Sequence, residues 1–168
     1  MAITRVMAVV RGDPSDDNAV THAADLVRPH KGKLYVLYVI RMGRGLPVDA
    51  ESPDEVRLGE EALLHAERLA RIARGDLEAH LVQAREFGHA VVHEAVVREV
   101  DAIVLGTPYP MEFGDFSLGE DLLYVLQHAP CTVLLWREPP KDWLVDGRSP
   151  RTLKPGVRQS PPAGPRPA

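Results

Sequence analysis

The sequence predicts an α/β fold: an open five-stranded parallel sheet with helices on both faces. Three observations carry that prediction. Five short apolar runs alternate with four longer stretches of helical periodicity, and right-handed strand–helix–strand crossovers turn that order into a parallel sheet. Most of the runs are nearly continuous in apolar residues, the pattern of strands covered on both faces. Aromatic residues make up only 5% of a chain that is 45% apolar, so Val, Leu, Ile and Ala must fill the core, as they do in such sheets.

The first run spans residues 3–10. Asp13-Pro14-Ser15-Asp16 follows, a helix start with a capping oxygen, Pro at the first helical position and a carboxylate in the first turn. This helix is expected to reach about Arg28, where Pro29 and Gly32 stop it. The second run is 33–40. A long helix opens at Pro53-Asp54-Glu55 and runs through Arg74 to Gly75, with Leu58, Ala62, Ala66, Leu69 and Ala73 as its inward stripe. The third run, 77–84, alternates Leu77, Ala79 and Leu81 with Glu78 and His80 and reads as an edge strand with one wet face. A helix over 88–99 turns Val92, Ala95 and Val96 inward. The fourth run is 102–106, and a helix over 118–127 with Leu122, Leu123 and Leu126 inward precedes Pro130 and the last run, 131–136. The folded domain is thus expected over 1–138.

Beyond it the pattern stops. Residues 139–168 are Pro-rich and carry six basic against two acidic side chains, a net +4 within a chain of net −4. They read as a disordered basic tail, with Trp143 and Leu144 as the residues able to pin its first part. The remaining body carries −8, a poor match to nucleic acid, which requires clustered Lys and Arg. The single cysteine, Cys131, begins an apolar strand and reads as an inert core thiol, with no intrachain disulfide. The apolar run 3–10 is too short to span a membrane and lacks a signal-peptide cleavage pattern. A cytoplasmic location is expected.

Ligands of open parallel sheets bind beyond the carboxyl ends of the strands, where strand order reverses. The segments in question are Arg11-Gly12-Asp13, 41–50, Arg85-Glu86 and 106–119. Other constellations have plainer explanations. His89 and His93, with Glu94, share a helix face but lack a third metal ligand, so a solvated face is expected. Asp13, Asp16 and Asp17 are acidic enough for a magnesium or phosphoacceptor cluster, but a receiver fold needs its acids at the end of the first strand and after the third. Arg11 and Ala84-Arg85-Glu86 stand there instead, and helix capping accounts for the three Asp. Tyr35, Tyr38 and Trp136 read as packing residues. No Walker lysine loop, no Gly-x-Gly-x-x-Gly after the first strand and no serine nucleophile elbow is present.

The segment after the fourth run reads Gly106-Thr107-Pro108-Tyr109 and continues to Gly119-Glu120; His128-Ala129-Pro130-Cys131 precedes the last run. With Asp101-Ala102-Ile103-Val104-Leu105-Gly106, these residues resemble the universal stress protein family, over about residues 3–136. The resemblance implies a Rossmann-like sheet and, in ATP-binding members, a loop of Gly, two residues, Gly, nine residues, Gly, then Ser or Thr. Gly106 and Gly119 keep the outer spacing, but Tyr109 replaces the middle Gly and Glu120 the hydroxyl residue. The family's nucleotide-contacting Asp at the end of the first strand is here Arg11. The Gly-Thr-Pro opening and Phe113-Gly114 are similar to the family domains appended to bacterial membrane transporters.

Glycines admit backbone N–H groups to phosphate oxygens, and a helix N-terminus adds partial positive charge. Glu120 sets a carboxylate there instead, which opposes a phosphate about 4 Å away by about 1–4 kcal/mol. Arg11 has three open roles: answering Glu120, holding an anion from the other side, or lying on the surface beside Asp13. The candidate ligand-binding residues are Arg11, Gly12, Ile40, Gly106, Thr107, Tyr109, Gly119 and Glu120. No catalytic residue, metal or cofactor is assigned, with ATP or AMP as the nucleotides the resemblance leaves open. The expected function is a non-catalytic stress-response or regulatory protein that does not bind ATP in the usual way. The alternative is an ATP- or AMP-binding member with slow or no ATP hydrolysis. Family members commonly dimerise through the last strand, so a homodimer is expected over 132–136, from Thr132 at its start to Trp136 at its end. A membrane transporter or another protein is a further partner class. Deleting residues 148–168 is expected to lower the melting temperature by no more than about 2 °C in a thermal scan, because the segment has no apolar stripe to bury. A larger loss would show that the tail is docked.

Overall fold

The computed structural model describes residues 2–73, 75–107 and 118–137. Five strands, β1 (Arg5–Val10), β2 (Lys33–Arg41), β3 (Leu77–Ala84), β4 (Ala102–Thr107) and β5 (Thr132–Arg137), form one sheet in the order β3-β2-β1-β4-β5. All four pairings are parallel. Four α-helices intervene: α1 (Ser15–Val27), α2 (Pro53–Ala70), α3 (Phe87–Val97) and α4 (Gly119–His128). The chain steps from β1 outward to β3, then returns to lay β4 on the other side of β1. That reversal puts the ligand crevice of the fold beyond the carboxyl ends of β1 and β4.

Alternation along the strands divides the core into two layers. Val6, Ala8, Val10, Leu34, Val36, Ala102 and Val104 face α1 and α2. Met7, Val9, Tyr35, Leu37, Ile103 and Leu105 face α3 and α4. β3 is half-buried throughout, as its alternating sequence predicts for an edge. β5 is the other edge and is more exposed than its apolar sequence suggests: Leu134 and Trp136 are 39% and 36% exposed. The helices of that face, α1 and α2, lie over the strands nearer the centre, and only the flank of α1 reaches β5, where His22 stacks on Trp136 with ring centroids 4.0 Å apart.

Three helical stripes differ from the sequence expectation. In α2 the buried residues are Gly59, Leu63, Ala66 and Ala70; Leu58 faces outward, 46% exposed. Gly59 sets that rotation, because a Cβ there would lie 2.3 Å from Leu81 Cδ1 and 2.9 Å from Tyr38 Cδ1, so the helix settles on the sheet at its one bare position. α2 also ends at Ala70, short of residue 74: Arg71 takes a left-handed φ of 50° and the Arg28 guanidinium donates to the Ala70 carbonyl at 3.2 Å, satisfying a helix-end acceptor. In α3, Phe87, Gly88, Ala90, Val91 and Ala95 are buried and Val96 is exposed. In α4, Leu122 and Val125 are buried while Leu123 and Leu126 are exposed. In α4 the buried seam is thus two residues wide, where three leucines were expected inward. The helix after β1 ends at Val27, and Arg28–His30 form a 3-10 turn. The expected tail, residues 139–168 with Trp143 and Leu144, lies outside the described residues.

At the amino ends of the central strands Asp101 joins β1 to β4. Its Oδ2 accepts the Thr4 amide at 2.9 Å, the Arg5 amide at 2.9 Å and the Thr4 hydroxyl at 3.0 Å. The Thr4 and Arg5 amides hold this carboxyl below its ordinary value. A carboxylate whose folded pKa is depressed stabilises the fold above its unfolded pKa, about 3.9, and that contribution disappears as pH falls through the folded value. Asp101→Asn should therefore cost about 1–3 kcal/mol at neutral pH. Denaturant titrations between about pH 5 and pH 2 should show wild type losing more stability than the variant. Parallel pH profiles for the two proteins would remove Asp101 from the account.

Candidate functional site at the strand carboxyl ends

The first loop is built around a buried carboxylate. Asp16 is 5% exposed, and its Oδ2 accepts three consecutive backbone amides: Arg11 at 2.7 Å, Gly12 at 2.8 Å and Asp13 at 3.1 Å. Gly12 permits this wrap by taking φ +82°. Asp13 in turn accepts the Ser15 amide at 2.7 Å through Oδ1, and the Ser15 hydroxyl donates to the same oxygen. The capping role expected of Asp13 is present, but Asp16 does more than complement the helix dipole: it organises the whole β1–α1 turn. Burial pushes its carboxyl up from the ordinary value, against the lowering effect of the Arg11 amide.

Arg11 lies across the sheet reversal. Its guanidinium donates to the carbonyl of Gly106 in β4 and approaches Asp13 Oδ2 at 3.7 Å. Glu120 is exposed in the first turn of α4 and is not among these partners. Arg11 thus stands beside Asp13 and is bonded to β4. Gly106 is fixed by packing: a Cβ there would lie 2.5 Å from the Ser15 carbonyl oxygen and 2.9 Å from its hydroxyl. The amino end of α1 therefore presses directly on the backbone of β4.

The other sequence candidates fall as follows. Thr107 ends β4, half-buried and paired with Arg137. Gly119 opens α4 with φ +75° and open space around it. Ile40, only 1% exposed, is a core residue of β2, so its side chain is spent on packing. Tyr109, Phe113 and Gly114 lie outside the described residues. The structure thus joins Arg11, Gly12 and Gly106 in one cluster.

Ser15, Asp16 and the pair Arg41–Asp121 complete the surroundings and were not singled out as site residues. Arg41, at the end of β2, bridges to Asp121 in the first turn of α4, so that turn carries two carboxylates, one paired and one facing solvent. The spacing Arg11-Gly12-Asp13-x-x-Asp16 held a signal for the buried brace, since an Asp three or four residues beyond a Gly turn can reach back to its amides. His89 and His93 do not converge: His89 stacks on Tyr124 at 3.9 Å and His93 lies 3.5 Å from Glu94. Among the described residues no group of three or more His, Cys, Asp or Glu is placed to hold a metal ion. Burial raises the Cys131 thiol above its ordinary value, which leaves it a weak nucleophile. No helix among the described residues is long and apolar enough to cross a membrane.

The model of the universal stress protein family matches residues 2–137. No curated protein sequence matches significantly. Among solved structures, a universal stress protein from Archaeoglobus fulgidus is similar with a TM-score of 0.64 and 20% identity, covering 80% of this chain and 98% of that one. A universal stress protein described in complex with cAMP has a TM-score of 0.62 and 18% identity, over 82% of this chain and 98% of its own. A family protein from Arabidopsis thaliana described with AMP bound has a TM-score of 0.55 and 19% identity, over 83% and 97%.

The packing at Gly106 gives a direct test. Gly106→Ala should destabilise the protein by about 1–3 kcal/mol in denaturant titration, because the added methyl meets backbone that cannot turn aside. A neutral effect would mean that α1 and β4 are farther apart than described.

Proposed function

The chain belongs to the universal stress protein family, and within it we propose a non-catalytic regulatory member, serving a stress response, whose altered loop does not hold ATP in the usual way. The observation that carries this reading is the bond from Arg11 to the Gly106 carbonyl. A protein guanidinium reaches over the strand ends where the resemblance sets a nucleotide-contacting Asp, and it is anchored to the first glycine of the phosphate loop. Three further features agree. The amides of the β1–α1 turn are already turned onto Asp16. Gly106 is close-packed against Ser15. Glu120 adds a negative charge where α4 would otherwise offer its positive end to phosphate.

A second reading is favoured by a specific observation: two of the similar structures are described with cAMP and with AMP, ligands with a single phosphate. An adenine monophosphate brings less charge toward Glu120 than ATP does, so this site would take AMP in preference to ATP. Weak hydrolysis of ATP is the activity left to this second reading.

The reading includes a homodimer through β5, an edge strand among the described residues on which Leu134 and Trp136 stand partly exposed. Leu134→Lys should weaken self-association in sedimentation experiments; Val133 is the poorer choice because it packs against the inner layer. A wild type that sediments as a monomer at micromolar concentration would exclude this dimer. A cytoplasmic location, and a transporter or other protein as partner, belong to the same proposal.

The loop is tested by restoring it. Glu120→Ser should raise ATP affinity about tenfold to a hundredfold, corresponding to about 1–3 kcal/mol, and Tyr109→Gly with Glu120→Ser should raise it further. If the double variant binds ATP no better than wild type, the charge and bulk at these positions are not what sets nucleotide affinity.

A further inference from the structure

On the α1 and α2 side of the sheet a cleft of about 530 Å³ opens beside the β1–α1 turn. Its wall is apolar: Val10, Val20, Tyr38, Leu58, Ala62 and Leu69 contribute, together with the α2 face around Ala66. Leu58 stands 46% exposed on that wall, so a hydrophobic surface is left open toward the space between the helices. The polar residues are mostly acidic. Asp13, Asp16, Asp17 and Glu61 line the cleft against Arg11 and His65. Arg11 is committed to the Gly106 carbonyl, and His65 Nε2 lies 2.9 Å from Asp17 Oδ1, linking the two helices. No residue of β4 or α4 takes part.

One atom in this lining is out of balance. Asp16 uses Oδ2 for the three loop amides, while its Oδ1 is buried with no hydrogen-bond partner among the described residues. A buried acceptor left unsatisfied costs about 1–3 kcal/mol, and a carboxylate oxygen more readily accepts a charged donor than a neutral one. We infer that this cleft is a binding site for a small amphipathic cation, a protonated amine carried on an apolar body. The ammonium group would sit among the carboxylates and donate toward Asp16, and the hydrocarbon would cover Leu58, Ala62 and Leu69. An anion of the same shape is repelled by the four acidic side chains that line the cleft. The inference shares the placement of Arg11 on Gly106 with the proposed function, but neither Glu120 nor the loop after β4 enters it.

The test uses the full chain and three probes of equal length: hexylammonium chloride, hexanol and sodium hexanoate, each followed by two-dimensional amide NMR. Hexylammonium should bind saturably and shift the amides of Arg11, Gly12 and Asp13 together with residues 58–69, and hexanoate should bind at least about tenfold more weakly. Leu58→Lys places a cation on an exposed part of the wall without disturbing the core, and should weaken hexylammonium by about tenfold while leaving the melting temperature near wild type. Asp16→Asn, if it folds, should weaken it too. Equal binding of the three probes, shifts confined to other surfaces, or an unchanged affinity in Leu58→Lys would overturn the site. Because ATP affinity is read separately, failure here would leave the reading of the phosphate loop standing, and the reverse also holds.

Discussion

The structure at the strand ends depends on one internal anion. Asp16 Oδ2 gathers the amides of Arg11, Gly12 and Asp13, so the turn leaving the central strand is closed on itself. That closure draws the start of α1 down onto β4, where Ser15 lies too near Gly106 for any side chain to intervene. It also directs Arg11 over the reversal of the sheet and onto the Gly106 carbonyl. Without the carboxylate, three amide donors would lie open at the topological switch point of a parallel sheet, where such folds receive ligands. The protein has filled its own donor set.

This arrangement accounts for the direction in which the chain departs from its family's nucleotide-binding pattern. An anion site is made from free amides, a helix N-terminus and cations without partners. Here the amides of the first turn are satisfied by Asp16, the first turn of α4 carries Glu120 and Asp121, and Arg41 and Arg11 are engaged by Asp121 and by the β4 backbone. Each change alone alters affinity modestly. On the proposed reading they act together to disfavour a phosphate chain at these strand ends. The fold persists because its stability comes from elsewhere: two apolar layers about β1, and the Asp101 brace at the opposite end of the strands.

The fold was legible because a doubly covered strand leaves a strong trace in sequence. The runs at 3–10, 33–40 and 102–106 are apolar on both faces, and the strands found there are the central ones of the sheet. Helix faces were less legible. Leu58, Val96, Leu123 and Leu126 suit an inward stripe by residue type, but inward placement is decided by the rotation of each helix on its sheet. In α2 that rotation follows from bare Gly59 meeting Tyr38 and Leu81, a contact between residues far apart in sequence. The candidate site reads in the sequence as a set of substitutions in the loop pattern that the resemblance implies, since Glu120 and Tyr109 differ from it in charge and size. Its internal wiring was not: the reach of Asp16 back to three amides and of Arg11 to β4 depends on how the Gly12 turn folds.

The central claim is that the protein's own groups occupy the place of a bound triphosphate. Calorimetric titration of magnesium–ATP into the unmodified full-length protein tests it most directly. The account predicts no saturable heat below about 100 μM ATP, corresponding to binding weaker than about 5.5 kcal/mol. A low-micromolar dissociation constant with one site per chain would contradict it, because Arg11 would then have to release Gly106 and the first turn of α4 would have to accept phosphate beside Glu120.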